Sequence, residues 1–364
     1  MPGDRRIDDW LRSQIDAGHF PGAAYLVGTP DRVLASGAAG RAVLAPEERP
    51  AHADTIYDLA SLTKPLASAL LALKLRERGS LALDDLLARH LDGWRPADDR
   101  SLVTLLDLFT HRAGLKAWDP LYIGGSGHDA LLARIQAIPA ISPPGRRVTY
   151  SDLGYILIGF ALEAAGGQPL DRLFAQEIAG PLGLTDLLYR PAEALRPRIA
   201  ATEAGNERER QLAGARAPGY NAWRTGMIWG EVHDGNAHAL GGVAGHAGLF
   251  GSCRAVYAVA REILPGRGRL LPTVGRDVLW SNFTPDMEEH RSVGFQIGST
   301  PGSASGPALS ERSIGHSGFT GTSLWIDPEA ERIFILLTNR VHPRYAPIDM
   351  NAIRREFHQV ATAL

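Results

Sequence analysis

Apolar residues recur every three to four positions near both ends of the chain, and this period predicts an amphipathic helix at each end. The first helix spans residues 5 to 17 and stops near Gly18, since glycine favours helix termination. The second follows the last predicted strand. The apolar positions are Ile7, Trp10, Leu11 and Ile15 in the first helix and Ile353, Phe357, Val360 and Leu364 in the second. One apolar face on each helix predicts that both lie on a sheet.

Short apolar and β-branched runs predict strands near both ends as well. Residues 23–28 and 32–36, joined by a Pro30-Asp31 turn, show the pattern of a β-hairpin. Later in the chain, four further runs predict strands at residues 292–297, 312–316, 322–326 and 332–337. We therefore expect one antiparallel sheet that is built from both chain ends and flanked by the terminal helices.

A mainly helical pattern fills the chain between these two groups of strands. Residues 62–75 are apolar on nearly all sides, which is typical of a helix buried inside a protein, and Gly79 ends it. The sequence thus predicts an α/β fold in two parts. Residues 1–60 and 290–364 form an α/β sandwich domain, and residues 61–289 form an inserted, mainly helical domain.

The composition is that of a globular chain and excludes several classes of function. Of the 364 residues, 45% are apolar and 21% are charged, and no apolar run approaches the roughly 18 residues of a membrane helix. The net charge of -2 gives no overall attraction to nucleic acid or to an anionic membrane. The single cysteine, Cys253, excludes an internal disulfide and a cysteine-rich metal site. We expect a small-molecule partner, and the oligomeric state stays open.

The beginning of the sequence lacks the apolar stretch of a secretory signal, because residues 5 to 17 are amphipathic. As the sequence stands, we expect a cytoplasmic protein. If a leader peptide was removed from a longer product, the expected location is periplasmic or extracellular.

The first candidate for chemistry is Ser61-Leu62-Thr63-Lys64, at the start of the apolar helix. Residues three apart share a helix face, so the Lys64 ammonium can reach the Ser61 oxygen. Pro65 suits this position because proline lacks an N–H and is tolerated in the first helical turn. The pattern favours an activated serine nucleophile; the alternative is a helix-capping serine beside a solvated lysine.

The second candidate is Tyr150-Ser151-Asp152, which opens the helix predicted over residues 153 to 165. A tyrosine can act as a general base if cations stabilise its phenolate, and moving its pKa from about 10 to near 7 requires about 4 kcal/mol. We expect Lys64 to supply that stabilisation. The alternative is a tyrosine that packs its ring and satisfies its hydroxyl by a hydrogen bond.

The third candidate is His316-Ser317-Gly318, at the end of a predicted strand. Glycine there lets a substrate backbone approach closely, and the N–H of Phe319 can then donate to a developing oxyanion. The N–H of Ser61 is the expected second donor of this oxyanion hole. Loss of one such donor typically costs about 3 to 4 kcal/mol in the transition state.

Together the three motifs resemble the signature of the serine β-lactamase and penicillin-binding protein superfamily. Within it, the chain is similar to the branch of class C β-lactamases, D-alanyl-D-alanine carboxypeptidases and related esterases. Further similar stretches are residues 20–22, 58–65, 108–115, 241–250 and 337–340. The resemblance implies an α/β sandwich with a helical domain, an active site between the two, acyl-enzyme chemistry on Ser61, and no metal or other cofactor.

Two positions depart from the family pattern. Asp152 stands where asparagine is usual, and we expect its carboxylate to keep Lys64 protonated, to leave Tyr150 as the base and to repel anionic substrates. His316 stands where many β-lactamases have lysine, so positive charge at the site should fade above about pH 6 to 7. Both departures argue against an efficient β-lactamase. The motif residues expected to contact substrate are Asp152, His316, Ser317 and Gly318.

Four further residues are candidates for substrate binding. Asn339 and Arg340 follow the last strand and should reach the same rim as His316, where Arg340 either receives a substrate carboxylate or lies on the surface. His233 belongs to a polar cluster that we expect to line the cleft, and Trp118 either forms the opposite wall or packs within its loop. The cluster lacks the spacing of a zinc site.

The sequence therefore predicts a serine hydrolase that acts through an acyl-enzyme on carboxylic esters or D-amino-acid peptides. Ser61 attacks, Tyr150 assisted by Lys64 takes its proton, and the amides of Ser61 and Phe319 hold the oxyanion. A class C-like β-lactamase is the alternative with the same chemistry. An alternative of another class is a catalytically weak, penicillin-recognising binding or sensor protein, in which Asp152 impairs the base.

Overall fold

The structure is a computed structural model, and it describes residues 3–268, 270–271 and 275–364. Residues 1 and 2 of the predicted sandwich domain lie outside the described residues. The strands are β1 (Gly22–Gly28), β2 (Val33–Val43), β3 (Arg49–Pro50), β4 (Tyr57–Asp58), β5 (Leu187–Tyr189), β6 (Leu249–Gly251), β7 (Gln296–Ile297), β8 (Ile314–Ser317), β9 (Ser323–Asp327) and β10 (Arg332–Thr338). The α-helices are α1 (Arg5–Asp16), α2 (Leu70–Glu77), α3 (Leu105–Phe109), α4 (His128–Ala137), α5 (Asp152–Gly166), α6 (Leu170–Phe174), α7 (Glu207–Ala213), α8 (Gly235–Ala239), α9 (Cys253–Ile263) and α10 (Met350–Ala361).

A seven-stranded antiparallel sheet draws its strands from both ends of the sequence, in the order β3-β2-β1-β10-β9-β8-β7. β1 and β10 pair with each other within it, and their register places Ala23 opposite Thr338 and Gly28 opposite Ile333. Both strands are buried along nearly their whole length. The predicted α/β fold, with a sheet built from both ends, is confirmed.

The two terminal helices lie together on one face of this sheet. Ile7 and Leu11 of α1 and Phe357 of α10 belong to one apolar cluster with Phe334 and Leu336 of β10. The Arg6 guanidinium also donates to the carbonyl of Ala363 at 3.3 Å, which links the two helices by a hydrogen bond. The opposite face of the sheet is covered by α9, which packs on β1 and β10. The apolar period near each chain end thus predicted both helices correctly.

The region between β4 and β7 is mainly helical, and α2 and α5 are buried at its centre. The predicted apolar helix is not one regular α-helix, because a π-helical turn, Lys64–Ala69, precedes α2. The region also holds a small sheet in the order β4-β6-β5, which the sequence pattern did not predict. Strands of two or three residues are too short to show an alternating apolar pattern.

One predicted strand is shorter than expected. The apolar pattern at residues 292–297 predicted an extended run, but the strand there is only β7. Gly294 interrupts the run with a φ of +85°, and a Cβ at this position would lie 2.6 Å from the side chain of Ala69. None of the helices in the described ranges has the length and apolar character needed to cross a lipid bilayer.

Candidate active site

Ser61 lies in a short 3-10 turn, Ala60–Leu62, that follows β4. Ala60 has a φ of +47°, a backbone conformation that residues with a Cβ rarely adopt. The Asp58 carboxylate holds this turn, since it accepts hydrogen bonds from the N–H of Ala60 at 2.8 Å and of His233 at 2.7 Å. Strained backbone of this kind clusters at functional sites, and Ser61 lines a cavity here.

The ammonium of Lys64 is fully buried and is surrounded by acceptors. Nζ donates to Ser61 Oγ at 2.9 Å, to Asp152 Oδ1 at 2.6 Å and to the His246 carbonyl at 3.2 Å. The spacing of Ser61 and Lys64 therefore does bring their side chains into hydrogen-bond contact. The Asp152 carboxylate, at the first residue of α5, is the charge that faces the ammonium.

Tyr150 lies in the loop that leads into α5, two residues before its first turn. Its ring packs between those of His111 and His316, with centroids 4.6 and 5.8 Å away. Lys64 Nζ lies 4.9 Å from the centroid of the Tyr150 ring, and Lys64 and Ser61 both act to lower the pKa of its hydroxyl. The structure thus brings together the serine, lysine and tyrosine that the sequence analysis singled out.

The protonation of this group is set by burial and by Asp152. Burial lowers the pKa of Lys64, but Asp152 and Tyr150 outweigh it and hold that pKa above its ordinary value. Burial raises the pKa of Tyr150, and Asp152 raises it further, while Lys64 opposes this only in part. The charged lysine agrees with our expectation. The expectation that Lys64 moves the pKa of Tyr150 toward neutrality is wrong, because a buried phenol beside a carboxylate keeps its proton.

The third motif presents backbone to the same cavity. His316 and Ser317 end β8, and Gly318 and Phe319 follow and line the cavity with them. β7 pairs only with the first half of β8, so the later half has a free edge at the site. A Cβ on Gly318 would lie 2.7 Å from the Leu59 carbonyl oxygen, so the close approach of these two segments requires glycine.

His316 does not carry the charge that we expected. Burial, together with the charges of Lys64 and Arg291, holds the pKa of His316 well below its ordinary value. The expected loss of positive charge above about pH 6 to 7 is therefore wrong, because the ring is already neutral in that range. Its Nδ1 lies 2.9 Å from the Ser317 carbonyl, and the ring fills space beside Tyr150.

The cavity that opens beside Ser61 has a volume of about 390 Å³ and is called the main cavity. It is lined by residues of all three motifs and by Arg340. Arg340 Nε donates to the Phe319 carbonyl at 2.7 Å, and the guanidinium lies 4.9 Å over the Phe319 ring and 5.1 Å over that of Tyr345. Arg340 thus lies at the cavity, as predicted, and is held there by two aromatic rings.

Sequence reasoning missed five polar residues that line the main cavity: Glu289, Arg291, Gln296, Asn351 and Arg354. The buried Arg354 guanidinium donates to the carbonyls of Gly318 at 3.0 Å and Thr322 at 3.1 Å. Asn351 and Arg354 lie one turn apart on α10, and a charged residue next to the apolar face of a predicted helix was an available signal. Arg291 lies in a loop, where no pattern marked it.

A second cavity, the side cavity, has a volume of about 200 Å³ and shares Ser61, Asp152 and Phe319 with the main one. The predicted residues Trp118 and His233 line this cavity. The ring of His233 stacks on Phe319 with centroids 5.7 Å apart, so Phe319 stands between the two cavities.

Two predicted site residues, the buried Lys64 and Asn339, line neither of these two cavities, and only Asn339 also lacks contact with Ser61. The side-chain oxygen of Asn339 accepts from the Gly22 N–H at 3.1 Å, and its amide donates to the carbonyls of Arg41 at 3.2 Å and Ala42 at 2.9 Å. Our expectation that Asn339 meets substrate is corrected: the side chain turns into the sheet and ties β10 to β1 and β2.

The polar cluster around His233 pairs histidines with carboxylates. His233 Nε2 lies 2.9 Å from Glu203, and His246 Nε2 lies 2.8 Å from Asp234. Across residues 3–268, 270–271 and 275–364, no three side chains of His, Cys, Asp or Glu come together in a way that could hold a metal ion.

Comparison with known proteins gives one family. A family model described as Beta-lactamase matches residues 7–356. A protein of Escherichia coli O157:H7 named "Putative D-alanyl-D-alanine carboxypeptidase" is 32% identical over 385 aligned positions, which cover 98% of this chain and 87% of that protein. A protein of the same name from Salmonella typhimurium is 32% identical over 377 positions, covering 95% and 84%.

Solved structures with a similar fold have lower identity. The hydrolase EstCE1, described as having promiscuous acyltransferase activity, has a TM-score of 0.75 at 20% identity and covers 98% of both chains. A class C β-lactamase from Rhodobacter sphaeroides has a TM-score of 0.75 at 17% identity and covers 99% of both. At these identities the likeness shows the fold.

Proposed function

The chain belongs to the β-lactamase family and is a serine hydrolase, and from this premise we propose that it cleaves D-amino-acid peptides that end in a carboxylate, through an acyl-enzyme on Ser61. Carboxylic esters are the second substrate class, since their carbonyls react by the same steps. The observation that carries the proposal is the contact of Ser61 with Lys64 and Tyr150 beside a cavity lined by three arginines.

Acylation uses a charged lysine and a neutral tyrosine, as the directions of their pKa shifts require. The proton of Ser61 passes to the Tyr150 oxygen while the phenol proton of Tyr150 passes to the leaving amine or alcohol. The bond from Oγ to the carbonyl carbon forms, the bond to the leaving group breaks, and Lys64 stabilises the charge that develops on Oγ. Tyr150 is then a proton relay, which replaces the phenolate base of our sequence hypothesis.

Deacylation runs the relay in reverse. A water molecule attacks the acyl carbon, its proton passes through Tyr150 to Ser61 Oγ, and the acyl–Oγ bond breaks to release a carboxylic acid. In both steps the N–H groups of Ser61 and Phe319 are the proposed oxyanion donors.

The main cavity is the proposed site of the leaving group. Tyr150 lines the main cavity and not the side cavity, and its phenol must reach the leaving atom. A leaving D-amino acid carries a carboxylate, which the Arg340 guanidinium can receive there, since only its Nε is used by the Phe319 carbonyl. Arg291 already pairs with Glu289, and Arg354 donates to backbone carbonyls. The names of the relatives from Escherichia coli and Salmonella support this substrate class.

The test measures release of D-alanine from an acetylated tripeptide ending in D-Ala-D-Ala. We expect steady turnover that vanishes in Ser61→Ala, and a kcat/KM about tenfold lower for the same peptide with an amidated C-terminus, because one charged hydrogen bond is lost. Turnover that survives in Ser61→Ala contradicts the nucleophile. Equal rates on the free and amidated peptides contradict the substrate class, and a stoichiometric burst without turnover indicates a binding protein.

A further inference from the structure

The walls of the side cavity differ in charge from those of the main cavity. The main cavity presents three guanidiniums and the carboxylates of Asp152 and Glu289, whereas the side cavity combines apolar walls with four carboxylates and one guanidinium. The large apolar residues of the side cavity are Trp118, Leu212 and Phe319, and the acidic ones are Asp58, Asp152, Glu209 and Asp234. Arginines therefore outnumber carboxylates in the main cavity, and carboxylates outnumber arginines in the side cavity.

Two of these carboxylates have a cationic or imidazole partner. Asp152 pairs with Lys64 at 2.6 Å, and Asp234 lies 2.8 Å from the His246 ring. Asp58 and Glu209 are different, because within the described part of the chain no lysine or arginine nitrogen lies within 4.0 Å of either.

Glu209 is buried and accepts hydrogen bonds from neutral groups only. Its oxygens accept from the Gly235 N–H at 2.8 Å, the Tyr122 hydroxyl at 2.8 Å and the Asn206 amide at 3.5 Å. Burial and the nearby Asp234 raise the pKa of Glu209 to about 7. The anionic form of such a buried carboxylate is costly in free energy, and a bound cation would stabilise that form.

His246 adds a polar atom that the protein itself leaves unpaired. Its ring is buried, and Nε2 lies 2.8 Å from Asp234 Oδ1. Nδ1 has no hydrogen-bond partner among the described residues. Because buried polar atoms are normally paired, this nitrogen calls for a polar group from a ligand.

Arg208 and His233 also line the side cavity. The Arg208 guanidinium packs 4.8 Å over the ring of Tyr345, and His233 pairs with Glu203 at 2.9 Å. The four carboxylates outnumber the single guanidinium, so acceptors of hydrogen bonds predominate in the lining.

We propose that the side cavity binds the acyl group of the substrate and selects an acyl group that carries an ammonium. This inference rests on the proposed function, because the leaving group is assigned to the main cavity and the acyl group then extends into the side cavity. The ammonium donates to Glu209, and its carbon chain packs on Trp118 and Phe319. A volume of about 200 Å³ limits the group to a short one.

The test compares two esters of equal size, p-nitrophenyl 3-aminopropanoate and p-nitrophenyl butanoate. We expect the wild type to favour the ammonium ester by about tenfold or more in kcat/KM, with spontaneous hydrolysis subtracted from parallel runs with Ser61→Ala. Glu209→Gln should bring the ratio close to one. The matched control is Glu207→Gln, on the exposed side of the same helix, which should keep the wild-type ratio.

The outcomes separate this inference from the proposed function. If neither ester reacts faster than with Ser61→Ala, the proposed function fails, and propylammonium chloride then tests the cavity alone. Propylammonium chloride should raise the Tm of the wild type above the Tm in the same concentration of sodium chloride, and it should not raise the Tm of Glu209→Gln in this way. An equal rise in the Tm of both proteins overturns the inference, and so does a ratio that Glu209→Gln leaves unchanged. A wild type that prefers butanoate, or that prefers neither ester, overturns it even if the variant fails to fold.

Discussion

Asp152→Asn removes a negative charge from the site and keeps a hydrogen-bond acceptor in its place. The carboxylate lies 2.6 Å from Nζ of the fully buried Lys64. At an effective dielectric constant of about 20, this separation corresponds to a gross Coulomb energy of about 6 kcal/mol. Asparagine keeps the hydrogen bond and avoids desolvation of a carboxylate, so we expect a net loss of about 3 kcal/mol in the free energy of unfolding.

The pH dependence of this stability has a definite sign. Asp152 raises the pKa of Lys64, so the stabilisation is complete at neutral pH and is lost as the pH rises through that raised value. In Asp152→Asn, burial acts on Lys64 without the opposing carboxylate and lowers its pKa below the ordinary value of 10.5, so the unfolded state binds more protons and the stability of the variant should rise with pH between that lowered value and 10.5. Urea unfolding at pH 7 and pH 9 measures both effects. The control is Asp9→Asn, an exposed partner of Arg5 and Arg12, with an expected change below about 0.5 kcal/mol.

The same variant tests the effect of this charge on substrate choice. The Asp152 carboxylate lines both cavities, so we expect its removal to favour anionic substrates, and Asp152→Asn should gain turnover of nitrocefin relative to turnover of a neutral ester. The reasoning is refuted by a stability difference of less than about 1 kcal/mol in a folded variant. An unchanged preference between nitrocefin and the ester refutes the charge argument separately.

Three further predictions concern single side chains. Tyr150→Phe should lower kcat by about 10²- to 10⁴-fold without lowering Tm, and a loss of less than tenfold contradicts the proton relay. Burial lowers the pKa of His358 from 6.5 to about 4, so the folded state binds fewer protons than the unfolded state, and stability should fall by about 2 kcal/mol between pH 7 and pH 5. His358→Gln should remove this fall in the free energy of unfolding, as measured by urea titrations at pH 7 and pH 5. An unchanged fall would assign the pH dependence to other groups. Arg340→Ala should raise KM for the peptide with a free carboxylate but not for its amide; equal changes on both would leave Arg340 a packing role.

Local spacing predicted the parts of the site that lie within one turn. Ser61 and Lys64 are close because residues three apart share a helix face, and this holds although the turn at Lys64 is π-helical. Tyr150 and the third motif approach Ser61 and Lys64 from distant parts of the sequence, and only the family resemblance indicated that these groups meet. The terminal helices and the sheet from both ends followed from apolar periods that run over whole elements.

The failures have a common physical origin. The pKa directions of Tyr150 and His316 depend on how deeply each is buried, and a sequence names neighbours without giving depth. Asn339 was misplaced because one change in backbone direction after a strand decides whether a side chain faces the sheet or the cleft. The acidic lining around Glu209 comes from separate segments of the chain, so no single stretch marked it.

The pairing of β1 with β10 has a consequence for biosynthesis. It joins residues 23–28 to residues 333–338, so one of these two neighbouring strands leaves the ribosome long before the other. A nascent chain exposes Ser61 and Lys64 long before β8 and the arginine of α10 exist. Hydrolytic activity therefore arises only after β8 and α10 have been made, and such non-local pairing also makes folding slow. A fragment that ends before β8 carries the nucleophile but lacks the strand and the helix that complete the cleft.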